Sequence, residues 1–145
     1  MVITYSVILI GLLFLIRPLQ KNSFYILHAA LVILAAYYIE THYFRASVFG
    51  AKTLLLLVVF QFVSINVVTV LAYWVDKRAA VRGAWRVPEI NLHTLEFLGG
   101  WSGALLAQRL FRHKTKKRSY QSMFWFILLM QAAAVYVILR YLGLL

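Results

Sequence analysis

Four apolar runs alternate with short polar breaks along the chain. Met1–Ile16 ends at Arg17-Pro18, and Ser23–Ile39 follows after one short break. Thr53–Val75 runs for 23 residues without a charge and closes on Trp74, ahead of Asp76-Lys77-Arg78. Ser122–Leu139 has Trp125 near one end and Arg140-Tyr141 at the other. A hydrocarbon core about 30 Å thick is crossed by roughly 20 apolar helical residues, so each run predicts a span. The first, at 16 residues, spans only with its flanks or with local thinning. It has no positive residue ahead of it and no Ala-x-Ala pattern, so a removable signal peptide is not expected. Tyr37, Tyr38 and Tyr43 suit an interfacial aromatic belt.

A fifth segment, Glu89–Phe111, is long enough to cross but carries Glu89, His93 and Glu96. Pro88 suits a helix first turn, and Glu89 follows it at the positive end of the dipole. Glu89, His93, Glu96, Gly100, Gly103 and Ala107 recur at steps of four and three, a polar stripe that turns into a small-residue one. Gly99, Gly100 and Gly103 then read as helix-packing positions that admit a close neighbour. Alternatively, Gly99-Gly100 breaks the helix in two, as a re-entrant hairpin requires.

Lysine and arginine placement decides between crossing and returning. If Glu89–Phe111 returns, residues 17–21 carry two Lys/Arg and 76–118 carry ten on one face, against Arg45, Lys52 and Arg140 opposite. If it crosses, that bias nearly vanishes. The expectation is therefore an all-α integral membrane protein of four transmembrane helices plus one re-entrant or interfacial amphipathic helix, with both termini outside. Composition agrees: 63% of the residues are hydrophobic, 13% are charged and mean hydropathy is +0.82. A soluble domain would be about half apolar and a quarter charged. The chain has no cysteine, which removes disulfides, thiolate catalysis and Cys-based zinc sites.

The third run carries its own stripe, Asn66, Thr69, Tyr73 and Asp76, descending to the basic end. Polar groups in a bilayer face protein or water, so this stripe is expected to meet the Glu89–Glu96 face beneath the basic loop. The plainer reading has Asn66 and Thr69 as interhelical glue and Asp76 paired with Arg82 or Arg86. His28 is expected to be a packed interfacial residue, and Gln131 an interhelical hydrogen-bonder.

Net charge is +11, and the densest cluster is "RLFRHKTKKRSYQ", Arg109–Gln121. A juxtamembrane cluster fixes topology and attracts anionic lipid at about 1 kcal/mol per charge. Yet His113-Lys114-Thr115 sets imidazole, ammonium and hydroxyl side by side, which are phosphate-binding groups. The candidate anion-binding set is Arg109, Arg112, His113, Lys114, Thr115, Lys116, Lys117 and Arg118.

From about Asn66 onward the chain resembles the YsdA-like bacterial membrane family, catalogued as domain of unknown function twelve-ninety-four. The elements are Asp76-Lys77 with Ala80, Arg86-Val87-Pro88-Glu89, Gly99-Gly100 with Gly103, and Phe111-Arg112-His113-Lys114-Thr115-Lys116 followed by Tyr120. On this reading 1–60 is an added N-terminal hairpin with its linker, and 61–145 the YsdA-like domain. The resemblance implies a multi-pass protein of the bacterial cytoplasmic membrane, without an established activity. Some relatives carry an N-terminal cold-shock domain. None is expected here, where the chain opens in an apolar run, so RNA tethering would rest on the basic loop alone.

Three function classes follow. The preferred one is a binding protein gripping an anionic partner, with phospholipid favoured over nucleic acid because Phe111 and Tyr120 are the few aromatics available to stack bases. The second is a membrane enzyme on a phosphate-bearing or lipid substrate, with Asp76, Glu89, His93, Glu96 and His113 as candidate acids and bases. Glu89, His93 and Glu96 could share a helix face toward a divalent metal, but no known ligand motif matches; no metal and no cofactor are expected. The third is a transporter or channel component, which at this length would need to oligomerise.

Overall fold

A computed structural model describes residues 22–42 and 51–144, and singly Ile8 and Leu12. The expected span Met1–Ile16 lies outside the described residues apart from those two positions, as do Tyr43 and Arg45. Among the described residues the structure is helical without strands: α1 (Ser23–His42), α2 (Ala51–Arg82), α3 (Glu89–Leu95), a π turn (Glu96–Gly100), α4 (Trp101–Phe111) and α5 (Arg118–Tyr141). Three of these, α1, α2 and α5, are long and apolar enough to cross a membrane. The chain is thus a multi-pass membrane protein by the length and composition of its helices.

Its surface carries the same message. Leu55, Phe62, Leu129 and Val137 stand exposed, while Asn22, His28, Thr69, Asp76, Glu96, Gln108 and His113 are buried. Buried polar groups need partners inside the protein, and an exposed apolar surface this broad needs lipid or another chain.

Each end of these helices has a local cause. Asn22 caps α1, its Oδ1 accepting from the backbone N–H of Phe24 at 3.1 Å and of Tyr25 at 3.3 Å. Its Nδ2 donates to the Asn91 carbonyl at 3.1 Å, which ties the start of α1 to α3. α2 continues past the predicted Val75 through its charged end to Arg82 and stops at Gly83, whose φ of +64° sets the left-handed turn. At 32 residues it is about 48 Å long. It also runs unbroken through residues 60 and 61. α1 packs on α2 through His28, buried, with Nδ1 2.9 Å from Ser64 Oγ and Nε2 2.9 Å from Gln61 Oε1.

Glu89–Phe111 is two helices, not one. Gly99 at φ +104° breaks the helical path inside the π turn. The bend sits against Asn66, whose Nδ2 donates to the Gly99 carbonyl at 3.1 Å and whose Oδ1 accepts from Ser102 Oγ at 2.7 Å and the Gly103 N–H at 2.6 Å. A Cβ on Gly100 would collide with Thr69 Oγ1, and one on Gly103 with the Asn66 backbone. The far ends of the pair meet one another, Lys114 Nζ lying 2.6 Å from Glu89 Oε1. Asn66 and Asp76 are ten positions apart on α2, about 15 Å along its axis. The segment therefore travels up α2 to Asn66 and returns. α5 closes the other side, where Gln131 Nε2 donates to the carbonyls of Glu96 at 3.0 Å and Phe97 at 2.6 Å.

Candidate anion-binding site

The basic loop is shaped by two non-glycine residues in the left-handed region, Arg112 at φ +47° and Lys114 at φ +63°. Such residues are uncommon and strained, and gather where a structure is clamping something. Arg112 ends α4, and His113, between the two, donates its N–H to the Gln108 carbonyl at 3.3 Å. The His113 side chain is buried against the end of α2, with Nε2 2.7 Å from Asp76 Oδ2. Asp76 is wholly buried and is also reached by Arg86, from Nε at 3.4 Å and Nη2 at 3.3 Å, and by Lys114 Nζ at 3.6 Å. Of the two arginines expected to pair with it, Arg86 does so.

Glu89 forms the other anchor. Lys114 reaches its Oε1 at 2.6 Å and Lys117 its Oε2 at 2.8 Å. Hydrogen bonds from Lys114 and then Lys117 hold the Glu89 carboxyl below its ordinary value. Around these pairs opens a cavity of about 680 Å³ lined by Arg86, Glu89, Arg112, His113, Lys114, Thr115, Lys116 and Lys117. Five of its eight lining residues are Lys or Arg and one is a carboxylate. Neither Arg112 nor Lys116 has a carboxylate partner among the described residues. Of the expected anion-binding set, Arg112–Lys117 line the cavity; Arg109 and Arg118 are exposed and lie outside its lining.

The candidate acids and bases fall into two groups. Glu89 and His113 line the cavity, and Asp76 lies buried behind His113. His93 and Glu96 form a second, buried cluster, with His93 Nδ1 2.6 Å from Glu96 Oε2. Glu96 Oε1 lies 2.6 Å from Tyr73 Oη and 2.7 Å from Tyr120 Oη. Glu89 engages lysines while His93 engages Glu96, so the three do not converge on one point. Among the described residues no group of His, Asp and Glu is arranged to hold a metal.

The α2 stripe meets this cluster as expected at Tyr73, and reaches the loop at Asp76. Thr69 instead donates to Ile65 in its own helix at 2.7 Å. Sequence reasoning missed Gln108 and Gln121. Gln108 Nε2 donates to Tyr73 Oη at 3.1 Å, and Gln121 Nε2 bridges Gln108 Oε1 at 2.7 Å and the Lys114 carbonyl at 2.8 Å. The available signal was position: Gln108 lies four residues after Ala104, on the small-residue side of an apolar helix.

Residues 66–120 match the family described as "Protein of unknown function (DUF1294)". The matched span opens at Asn66, where the hairpin bends, and ends at Tyr120, which touches Glu96. The DUF1294 segment thus holds the hairpin, the basic loop and the buried cluster together. It stops short of the C-terminal end that the resemblance extended to. No curated protein and no solved structure matches the chain.

Proposed function

We propose that this is a receptor for a phosphate-bearing ligand at the membrane surface, with Glu89–Phe111 a re-entrant hairpin beneath it. The observation that carries the reading is the cavity's imbalance: five cationic side chains face one carboxylate, and Arg112 and Lys116 are left for a ligand. Phosphate oxygens suit that set, since guanidinium gives paired donors and ammonium a point charge. The twelve-to-three division of Lys/Arg supports a cytoplasmic cavity and outside termini in a bacterial inner membrane. The return of the chain from Asn66 to Lys114 supports a segment that enters the bilayer without crossing it, its irregular backbone at Gly99 buried in protein.

The test is native mass spectrometry in mild detergent, comparing the unmodified chain with Arg112→Ala/Lys116→Ala, which leaves every pair around Asp76 and Glu89 in place. Incubation with phosphatidylglycerol or phosphatidylcholine vesicles forms one arm, and inorganic phosphate the other. Retained phosphatidylglycerol identifies a lipid headgroup, and its displacement by inorganic phosphate identifies a general phosphate site. Two charges at about 1 kcal/mol each predict affinity lower by roughly 30-fold in the variant. Equal retention by both chains, or none by either, overturns the reading.

A second reading is favoured by the Asp76–His113 pair. A buried carboxylate that orients an imidazole at the edge of a cationic cavity is the arrangement of a general base. With Nε2 held by Asp76, Nδ1 is the nitrogen that would exchange a proton with a bound phosphate ester. Turnover of a model phosphomonoester by the unmodified chain, lost in Asp76→Asn with binding retained, would make the protein an enzyme.

A further inference from the structure

The buried cluster at Glu96 lies outside the cavity and has no part in the proposed binding. Glu96 is fully buried, and its ion-pair partner among the described residues is His93 alone. Every element packed around it brings a polar group. α2 supplies Tyr73, α3 supplies His93, α4 supplies Gln108 through Tyr73, and α5 supplies Tyr120 and the Gln131 amide on the Glu96 carbonyl. The nearest cation shown against this group is Lys114, 5.1 Å from the Tyr120 ring centre.

The oxygens form a closed triangle. Tyr73 Oη to Glu96 Oε1 is 2.6 Å, Tyr120 Oη to the same oxygen is 2.7 Å, and the two phenols are 2.7 Å apart. Oxygens approach this closely when a proton lies between them. His93 Nδ1 to Glu96 Oε2, at 2.6 Å, needs another. Four contacts therefore call for four protons. An ionised carboxylate cannot donate; the two phenols give two protons and a neutral imidazole gives one. The Gln108 amide brings its own proton to Tyr73 and adds none to the triangle. The count is one short.

We propose that this cluster is a binding site for one exchangeable proton, held on the Glu96 carboxyl. With Oε1 protonated, each triangle oxygen donates once, around the ring from Glu96 to one tyrosine, to the other, and back. His93 Nδ1–H then serves Oε2. The proton comes from the aqueous phase, and no other group is transferred. His93, whose side chain keeps 12% exposure, is the member that reaches toward solvent. When the proton leaves, one edge of the triangle loses its hydrogen bond and two partly negative oxygens repel. The direct Tyr73–Tyr120 hydrogen bond between α2 and α5 is then lost, while each phenol still donates to Glu96 Oε1.

Infrared difference spectroscopy of the protein in lipid nanodiscs tests this. At neutral pH the unmodified protein is expected to show the carbonyl stretch of a protonated carboxylic acid, shifting in D₂O. The band is expected to persist in Glu40→Gln, on α1 and outside the cluster, and to vanish in Glu96→Gln. Because the second change could disturb folding, Tyr120→Phe provides an independent arm. It deletes two edges of the triangle, leaving Tyr73 and His93 to satisfy both carboxylate oxygens of an ionised Glu96. The neutral-acid band is then expected to shrink at the same pH. No neutral-acid band in the unmodified protein, or one untouched by Tyr120→Phe, overturns the proposal.

Discussion

His113 Nε2 and Asp76 Oδ2 stand 2.7 Å apart, although 37 residues separate them in the chain. This contact fastens the basic loop, part of which lines the cavity, to the end of α2. His113→Ala strands part of a buried carboxylate. It is expected to lower stability by about 1.5–3 kcal/mol, the usual scale for a hydrogen bond to a charged group. His113→Gln, whose amide can still donate, is expected to recover part of it. Unfolding in mild detergent, followed through cleavage of the loop by trypsin, measures both.

The glycines of the hairpin predict a graded series. Gly100→Ala and Gly103→Ala drive a Cβ into Thr69 and the Asn66 backbone, and each is expected to cost about 1–3 kcal/mol by overpacking. Gly143→Ala is the control: its φ is +68° but a Cβ there meets nothing within 4 Å. Only backbone strain remains at that position, about 1 kcal/mol. Equal losses at all three sites would remove the close-approach argument.

The Glu89 clamp carries a pH signature. Its folded carboxyl is depressed by Lys114 and Lys117. The stabilisation is therefore fully present above the ordinary glutamate value of about 4.3 and is lost as pH falls through the lower folded value. A cysteine placed at Thr115, free of background in a chain without cysteine, reports the loop's order through spin-label mobility. Mobility is expected to stay low down to mildly acidic pH and rise below it. Glu89→Gln is expected to abolish the step, with mobility high throughout.

Sidedness follows from the returning hairpin. Single cysteines at Ala84 and Thr115 are expected to label with an impermeant maleimide from the same face, and one at Leu144 from the opposite face. Opposite labelling of Ala84 and Thr115 would mean that Glu89–Phe111 crosses.

Much of this architecture was legible because a bilayer makes helices readable by length alone. Three expected spans are present among the described residues, and each helix extends beyond its apolar core: α2 continues from Val75 to Arg82, since charged residues propagate a helix outside lipid as readily as apolar ones within it. The break at Gly99-Gly100 was one of two readings; periodicity could not choose, since a stripe through Glu96 and Gly103 looks alike on a straight or a bent helix. Asn66 decides it, by filling the bend with its side-chain amide. The pairing of Tyr73 with Tyr120 was out of reach of sequence. Two tyrosines 47 positions apart join only because the hairpin places Glu96 between their helices.

The position of Glu96 also constrains how the protein is built. Its carboxyl finds partners on α2, at Tyr73, and on α5, at Tyr120, which emerges from the ribosome more than twenty residues after it. Until α5 is in place, burying the hairpin would leave one of the three side-chain hydrogen bonds of this acid unmade. The full set of partners around Glu96 is therefore assembled only once α5 has been made and packed beside the hairpin.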